Sequence, residues 1–80
     1  MAVPPGYLSG NPRRRQALEV LRSRGPLPLA GMAHLLRMPP KMVEGLLEDL
    51  RGKGLVEARG ERFRLTGEGE EILKRFGREG

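Results

Sequence analysis

Arginine side chains are grouped in two parts of this sequence. Three are consecutive at residues 13–15, and three more recur as Arg59, Arg62 and Arg64. A guanidinium group donates parallel hydrogen bonds in the geometry that phosphate and carboxylate groups accept. The chain carries 15 Lys and Arg against 10 Asp and Glu, a net charge of +5, and residues 12–24 alone hold five arginines and one glutamate. This balance is typical of nucleic-acid-binding domains, and an acidic protein partner is the alternative.

Residues for catalysis or metal binding are scarce. The sequence has no cysteine, one histidine (His34) and one aspartate (Asp49). These counts exclude a disulfide scaffold, a zinc finger, an iron–sulfur cluster and a thiol nucleophile. We interpret His34, which lies off the apolar stripe of its predicted helix, as a surface or half-buried side chain rather than a ligand. We therefore expect no catalytic residue, no metal, no cofactor and no enzymatic activity.

The length of 80 residues is enough for one small domain. No run of about 18 apolar residues is present, and the first residues lack the pattern of a signal peptide. We expect a cytoplasmic protein that does not contact membranes. Residues 1–10 contain two prolines, two glycines and no charge, which predicts a flexible N-terminal arm. Residues 11–80 are predicted to form a single domain.

Apolar spacing predicts three helices, over residues 12–24, 29–36 and 40–53. Asn11 is a suitable cap before Pro12, and Gly25 is a suitable end for the first helix. Gly54 follows the third helix where a left-handed residue is expected. The apolar stripes are Ala17, Leu18 and Leu21; Leu29, Met32, Ala33 and Leu36; and Val43, Leu46, Leu47 and Leu50.

After residue 54 the pattern predicts two strands, over residues 55–58 and 62–65, around a turn that contains Gly60. Phe63 and Leu65 alternate with Arg62 and Arg64, so one face is apolar and the other cationic. Thr66 is expected to cap a last helix, and Pro26-Leu27-Pro28 is expected to be an extended link.

This order of elements resembles the winged helix-turn-helix regulators of the MarR/ArsR kind over about residues 13–76. The motifs that carry the resemblance are Gly54-Leu55-Val56-Glu57, similar to the entry into the wing, and Leu65-Thr66 with Gly69, similar to its exit. The resemblance implies a mainly α fold with a small β-hairpin: a three-helix core, a wing and a C-terminal helix. The layout of the helices is also similar to that of small proteins of the FeoC type. Those proteins usually carry a cysteine cluster in the wing. This sequence has no cysteine, so metal sensing through such a cluster is not available.

The resemblance implies that the protein binds double-stranded DNA. The third helix would then lie in the major groove, and the wing would contact the backbone or the minor groove. The implied function is that of a transcriptional regulator or accessory factor. The candidate DNA-binding residues are Arg13, Arg14, Arg15, Arg37, Lys41, Met42, Arg59, Arg62 and Arg64. Solvated arginines are the alternative for both clusters.

The third helix lacks most of the side-chain types that usually contact base edges in DNA. It carries Glu44 and Glu48, and Pro39 stands where the family usually has a Ser or Thr cap. We therefore predict contacts mainly to phosphates, with a log–log salt slope of about −5 for five or six of them. RNA binding is disfavoured because the three aromatic residues do not suggest a stacking platform.

The sequence also contains two candidate surfaces for protein–protein contacts. An apolar patch of Met38, Pro39, Pro40 and Met42 would suit a protein partner, which makes a protein-interaction module without DNA binding the alternative function. A homodimer through Ile72, Leu73 and Phe76 is the alternative to a monomer.

Overall fold

The computed structural model describes residue 3 and residues 6–76, with the side chain of Phe76 outside the description. Within this part of the chain, four helices and three short strands follow one another in the predicted order, with one strand added. They are α1 (Pro12–Arg24), β1 (Leu27–Pro28), α2 (Leu29–Leu36), α3 (Pro40–Gly52), β2 (Val56–Arg59), β3 (Arg62–Leu65) and α4 (Gly67–Phe76).

The ends of α1 are set by the residues that the sequence singled out. The Asn11 side chain accepts a hydrogen bond from the Arg13 backbone N–H at 3.1 Å, and Gly25 ends the helix at a φ of 80°. A side-chain oxygen at this position satisfies one of the backbone donors that a helix start leaves without a partner. The predicted cap, bounds and end of α1 are confirmed.

Helices α2 and α3 form the helix-turn-helix around a turn at residues 37–39. Arg37 has a left-handed backbone, with a φ of 55°, and the Met38 N–H donates to the Ala33 carbonyl at 3.1 Å. A left-handed non-glycine residue costs about 1 kcal/mol, and here it lets the chain reverse within three residues. Met38 is thereby turned into the core, where it is 8% exposed.

The helices pack around one apolar core to which all three predicted stripes contribute. Leu46 and Leu29 are half-buried at its margin, and the remaining stripe residues are buried. The largest fully buried side chains are Leu18, Met32, Val43, Leu47, Leu50 and Leu55.

The strands form one antiparallel sheet in the order β1-β3-β2. The hairpin of β2 and β3, residues 56–65, is called the wing below. The predicted link at residues 26–28 is in fact an edge strand, in which Leu27 pairs with Phe63 and Pro28 with Arg62. Two residues are too few for a strand period to be visible, and a proline is tolerated at the edge of a sheet. Strand β2 begins one residue later than predicted, within the usual uncertainty of element ends.

A network around Thr66 explains why the two wing motifs occur together. The Thr66 hydroxyl donates to the Gly54 carbonyl at 2.7 Å and accepts from the Gly69 N–H at 3.0 Å. The Thr66 N–H donates to the Leu55 carbonyl at 3.1 Å. Gly69 is buried, and a Cβ there would collide with that same carbonyl oxygen. Thr66 therefore caps α4, as predicted, and joins both ends of the wing.

The N-terminal segment differs from the predicted flexible arm. Residues 6–10 form a turn in which Tyr7 and Leu8 are only 7% and 3% exposed. Both side chains join the core because α1 and α3 leave apolar surface that they cover. Of the remaining predicted arm, only Val3 lies within the described residues, and it packs against the core.

Burial corrects one predicted docking surface and partly covers another. Met38 lies in the core, so the apolar patch is reduced to Pro39, Pro40 and Met42. Of the residues predicted for a homodimer, Ile72 and Leu73 are 9% and 3% exposed and pack in the chain's own core, and the side chain of Phe76 lies outside the described residues. The homodimer itself stays a prediction.

Candidate nucleic-acid interface

The outer face of the wing is built by strand register. Arg59 pairs directly with Arg62, and Glu57 pairs with Arg64. Residues directly opposite each other in an antiparallel sheet project to the same side. All four side chains are exposed, whereas Phe63 on the opposite face is half-buried against the core. The wing therefore presents three arginines and one glutamate outward, and Phe63 and Leu65 inward, as the alternation predicted.

The two pairs on this face differ electrostatically. Arg64 Nε lies 3.1 Å from Glu57 Oε2, so this cation already has an anionic partner. Arg59 and Arg62 form a pair of like charges at the tip, and neither makes an ion pair with any described residue. Like charges directly opposite each other destabilise a sheet by a few tenths of a kcal/mol or more. The tip is thus a site where a bound anion would relieve repulsion.

The start of α3 is a second exposed surface. Pro39 occupies the cap position and makes no side-chain cap hydrogen bond, as the sequence implied. Lys41 is exposed, and Met42 is the most exposed large apolar side chain among the described residues, at 54%. An outward-facing methionine is available for an apolar contact.

Two of the three acidic side chains of α3 project outward, as expected. Glu44 and Glu48 are exposed, and Glu48 is 3.5 Å from Arg51 in a loose ion pair. Gly45 is also exposed, and a Cβ added there would meet nothing within 4 Å. No packing within the described chain therefore requires a glycine in the middle of this helix.

The three consecutive arginines are not equivalent. Arg13 is exposed, while Arg15 is half-buried. Arg14 is engaged inside the protein: its Nη1 donates to the Tyr7 carbonyl at 3.0 Å, and its Nε is 3.2 Å from Asp49 Oδ2. The buried Nε–H is not aligned for a hydrogen bond to that oxygen, so the contact is an ion pair only. Arg14 consequently holds α1 to α3 rather than extending into solvent.

Tyr7 completes this arrangement and was missed as a functional candidate. Its hydroxyl donates to Asp49 Oδ2 at 2.6 Å, and the Arg14 guanidinium carbon is 4.0 Å from its ring centroid. Burial, followed by the hydrogen bond and the charge of Asp49, raises the pKa of Tyr7 above its usual range, and the Arg14 charge opposes the shift. The sequence offered no signal for this contact, because 42 residues separate the partners.

Arg37, another predicted DNA contact, lies elsewhere. It lines an open groove of about 410 Å³ between α1 and α2. The other lining residues are Gln16, Glu19, Val20, Ser23, Leu35 and Leu36. Arg37 therefore borders this groove and does not belong to the outer face of the wing.

Two kinds of feature are absent from the part of the chain that the structure describes. Among those residues no three His, Cys, Asp or Glu side chains group in a way that would hold a metal ion. His34 is exposed. None of the described helices has the length and apolar character needed to cross a bilayer.

Solved structures of other proteins share this fold, and two of them illustrate the likeness. A crystal structure of RV1404 from Mycobacterium tuberculosis superposes with a TM-score of 0.76 and 24% sequence identity, over 86% of this chain and 53% of that one. A crystal structure of a MepR mutant from a multidrug-resistant S. aureus clinical isolate gives a TM-score of 0.79 and 22% identity, over 94% of this chain and 60% of that one. This chain thus spans less than two thirds of either neighbour. No family model and no curated protein sequence matches it.

These likenesses settle the fold class. The chain is mainly α with a small antiparallel sheet, and it has the winged helix-turn-helix fold. The fold resemblance predicted from the sequence is confirmed.

Proposed function

We propose that this protein binds double-stranded DNA as a winged-helix transcriptional regulator or accessory factor, mainly through phosphate contacts. In this proposal the wing tip rests on the DNA backbone and the start of α3 faces the major groove. The observation that carries it is the outward pair of Arg59 and Arg62, which lacks an anionic partner among the described residues. A phosphate group placed between two guanidiniums accepts hydrogen bonds from both and removes their repulsion.

The surface of α3 favours a close approach of this helix to DNA with few side-chain contacts to base edges. Gly45 leaves the helix backbone uncovered at its exposed middle, and a helix-interior glycine costs about 1 kcal/mol relative to alanine. Lys41 supplies a phosphate or guanine contact, and Met42 supplies an apolar contact to a thymine methyl group. Glu44 and Glu48 limit phosphate contacts on this helix to its first turn.

The salt dependence follows from the cations that remain available. Arg14 and Arg64 each lie beside a carboxylate, Arg15 is half-buried, and Arg37 lines the groove between α1 and α2. The proposed phosphate contacts are therefore the remaining predicted cations, Arg13, Lys41, Arg59 and Arg62. Each neutralised phosphate contributes about −0.9 to the slope of log affinity against log salt, so four contacts give a slope of about −4.

The test is a salt titration of duplex binding by fluorescence anisotropy, with two variants of equal net charge. The double variant Arg59→Ala/Arg62→Ala is expected to reduce the steepness of the slope by about 2 and the affinity at low salt by at least about tenfold. The matched control is Lys74→Ala/Arg75→Ala, which removes two exposed cations from α4. The control is expected to lose much less affinity. Equal losses in the two variants would mean that only net charge matters, and an absence of duplex binding by the unaltered protein would refute the proposal.

The runner-up function is a protein-docking module that uses the same face of α3. The observation that favours it is Met42, exposed at 54% beside the acidic side chains of Glu44 and Glu48. A basic, partly apolar partner would fit this surface. The Met42→Ala variant separates the two functions: it should abolish docking of such a partner, whereas it should weaken duplex binding only a few-fold because the wing arginines remain.

A further inference from the structure

A polar cluster joins the N-terminal segment to helix α3. Asp49 Oδ2 accepts a hydrogen bond from the Tyr7 hydroxyl at 2.6 Å and lies 3.2 Å from Arg14 Nε. The Arg14 guanidinium also stacks on the Tyr7 ring and donates to the Tyr7 carbonyl. Lys53 Nζ also lies 5.6 Å from the ring centroid. Three side chains from α1 and the C-terminal end of α3 thus meet around the phenol ring of Tyr7.

The segment that carries Tyr7 is itself fixed. The Gly10 N–H donates to the Gly6 carbonyl at 2.6 Å, and the Asn11 N–H donates to the Leu8 carbonyl at 3.2 Å. Leu8 is buried in the core at 3% exposure. Tyr7 is therefore held by a turn that continues directly into the cap of α1, and its hydroxyl reaches α3 from this turn.

We infer that Tyr7, acting through Asp49, is a positioning residue for DNA binding that sets the orientation of α3 relative to α1. The inference rests on the function proposed above. Asp49 lies eight residues from Lys41, about 12 Å along the helix axis. A rotation of α3 by about 10° around Asp49 moves Lys41 by about 2 Å, which is enough to break a hydrogen bond to phosphate.

A purely electrostatic effect of the Asp49 carboxylate on DNA binding predicts the opposite change in affinity when this charge is removed. If Asp49 acted only as a negative charge on a DNA-facing helix, removing that charge would strengthen binding, as it should for its exposed neighbour Glu48. If Asp49 positions α3, its neutralisation instead weakens binding despite the more favourable net charge. The sign of the change therefore separates positioning from simple charge.

The experiment measures duplex affinity of the full 80-residue chain and of three variants at a temperature where all are folded. The variant Tyr7→Phe keeps the ring, the stacking and the net charge and removes only the hydroxyl. It is expected to weaken binding by up to about tenfold, because the lost hydrogen bond to a carboxylate no longer favours the binding-competent orientation of α3 over other orientations. Asp49→Asn is expected to weaken binding several-fold, and the matched control Glu48→Gln to leave it equal or tighter.

Hydrogen exchange provides a readout that a general loss of stability would not reproduce. In Tyr7→Phe, the faster exchange is expected at the amides of residues 6–10 and α3, with α4 unchanged. Uniformly faster exchange across the chain, or unchanged duplex affinity in Tyr7→Phe, overturns the inference. Tighter binding by Asp49→Asn, equal to that of Glu48→Gln, also overturns it. If the unaltered protein binds no duplex, the proposed function itself fails; if it binds and Tyr7→Phe binds equally well, only the positioning role fails.

Discussion

Two glycines in helices are expected to respond in opposite ways to the same substitution. At Gly69, an added Cβ would collide with the Leu55 carbonyl oxygen and lie 2.7 Å from Leu65 Cδ1. At Gly45, an added Cβ would meet nothing within 4 Å. Alanine is therefore excluded by packing at the first position and accommodated at the second.

The magnitudes follow from these surroundings. Overpacking a filled site costs about 1–3 kcal/mol, and displacing the Leu55 carbonyl also weakens the bond that it accepts from the Thr66 N–H, so Gly69→Ala should destabilise the fold by about 2 kcal/mol. Gly45→Ala should stabilise it by about 0.5–1 kcal/mol, because alanine is the better helix former. For a domain of this size the melting temperature should fall by about 10 °C in the first variant and rise by about 4 °C in the second.

Thermal and urea denaturation followed by circular dichroism measure both changes. Duplex affinity adds a second comparison, because the Gly45 side of α3 is the surface proposed to approach DNA. Gly45→Ala should therefore bind duplex more weakly even though it is more stable. The packing argument is refuted if Gly69→Ala is as stable as the unaltered protein, or if the two variants change stability in the same direction.

Three further outcomes are expected. Thr66→Ala should lower the free energy of unfolding by about 1–2 kcal/mol because it removes the cap of α4 and the bond to Gly54, whereas Thr66→Ser should retain most of it; equal losses in a urea titration would contradict the role of the hydroxyl. Leu8→Ala should cost about 2 kcal/mol or more because the side chain is buried, while an unattached arm would give no change in melting temperature. Tyr7 is the only tyrosine in a chain without tryptophan, and its burial, followed by its contact with Asp49, raises its pKa in the folded state. Its stabilising effect is therefore present below about pH 10 and is lost as the pH rises further. In an absorbance titration, tyrosinate should form at a higher pH in the folded protein than in urea, and coincident curves would contradict both the burial of Tyr7 and its contact with Asp49.

The helices were predictable because their signals are local. Asn11, Pro12 and Gly25 mark the ends of α1 within the sequence itself, and apolar spacing identifies the buried face of each helix without knowledge of its neighbours. The cationic face of the wing followed from strand alternation in the same way, since Arg62 and Arg64 are separated by the inward-facing Phe63.

The features that sequence reasoning missed depend on contacts between distant residues. No local pattern pairs Leu27 with Phe63 or Tyr7 with Asp49. The same limit applies to charge: three consecutive arginines looked alike in the sequence, yet Arg14 differs because an aspartate from another helix lies beside it. Met38 was expected on the surface because the left-handed turn at Arg37, which rotates it inward, has no sequence signal when the residue is not glycine.

The most direct test of DNA binding through the wing is chemical-shift mapping of the isotope-labelled protein during titration with duplex DNA. We predict that the amides of residues 59–62 and of the first two turns of α3 shift together and that the amides around the α1–α2 groove keep their positions in the spectrum. Shifts confined to that groove, or no shifts at a duplex concentration well above that of the protein, would contradict it.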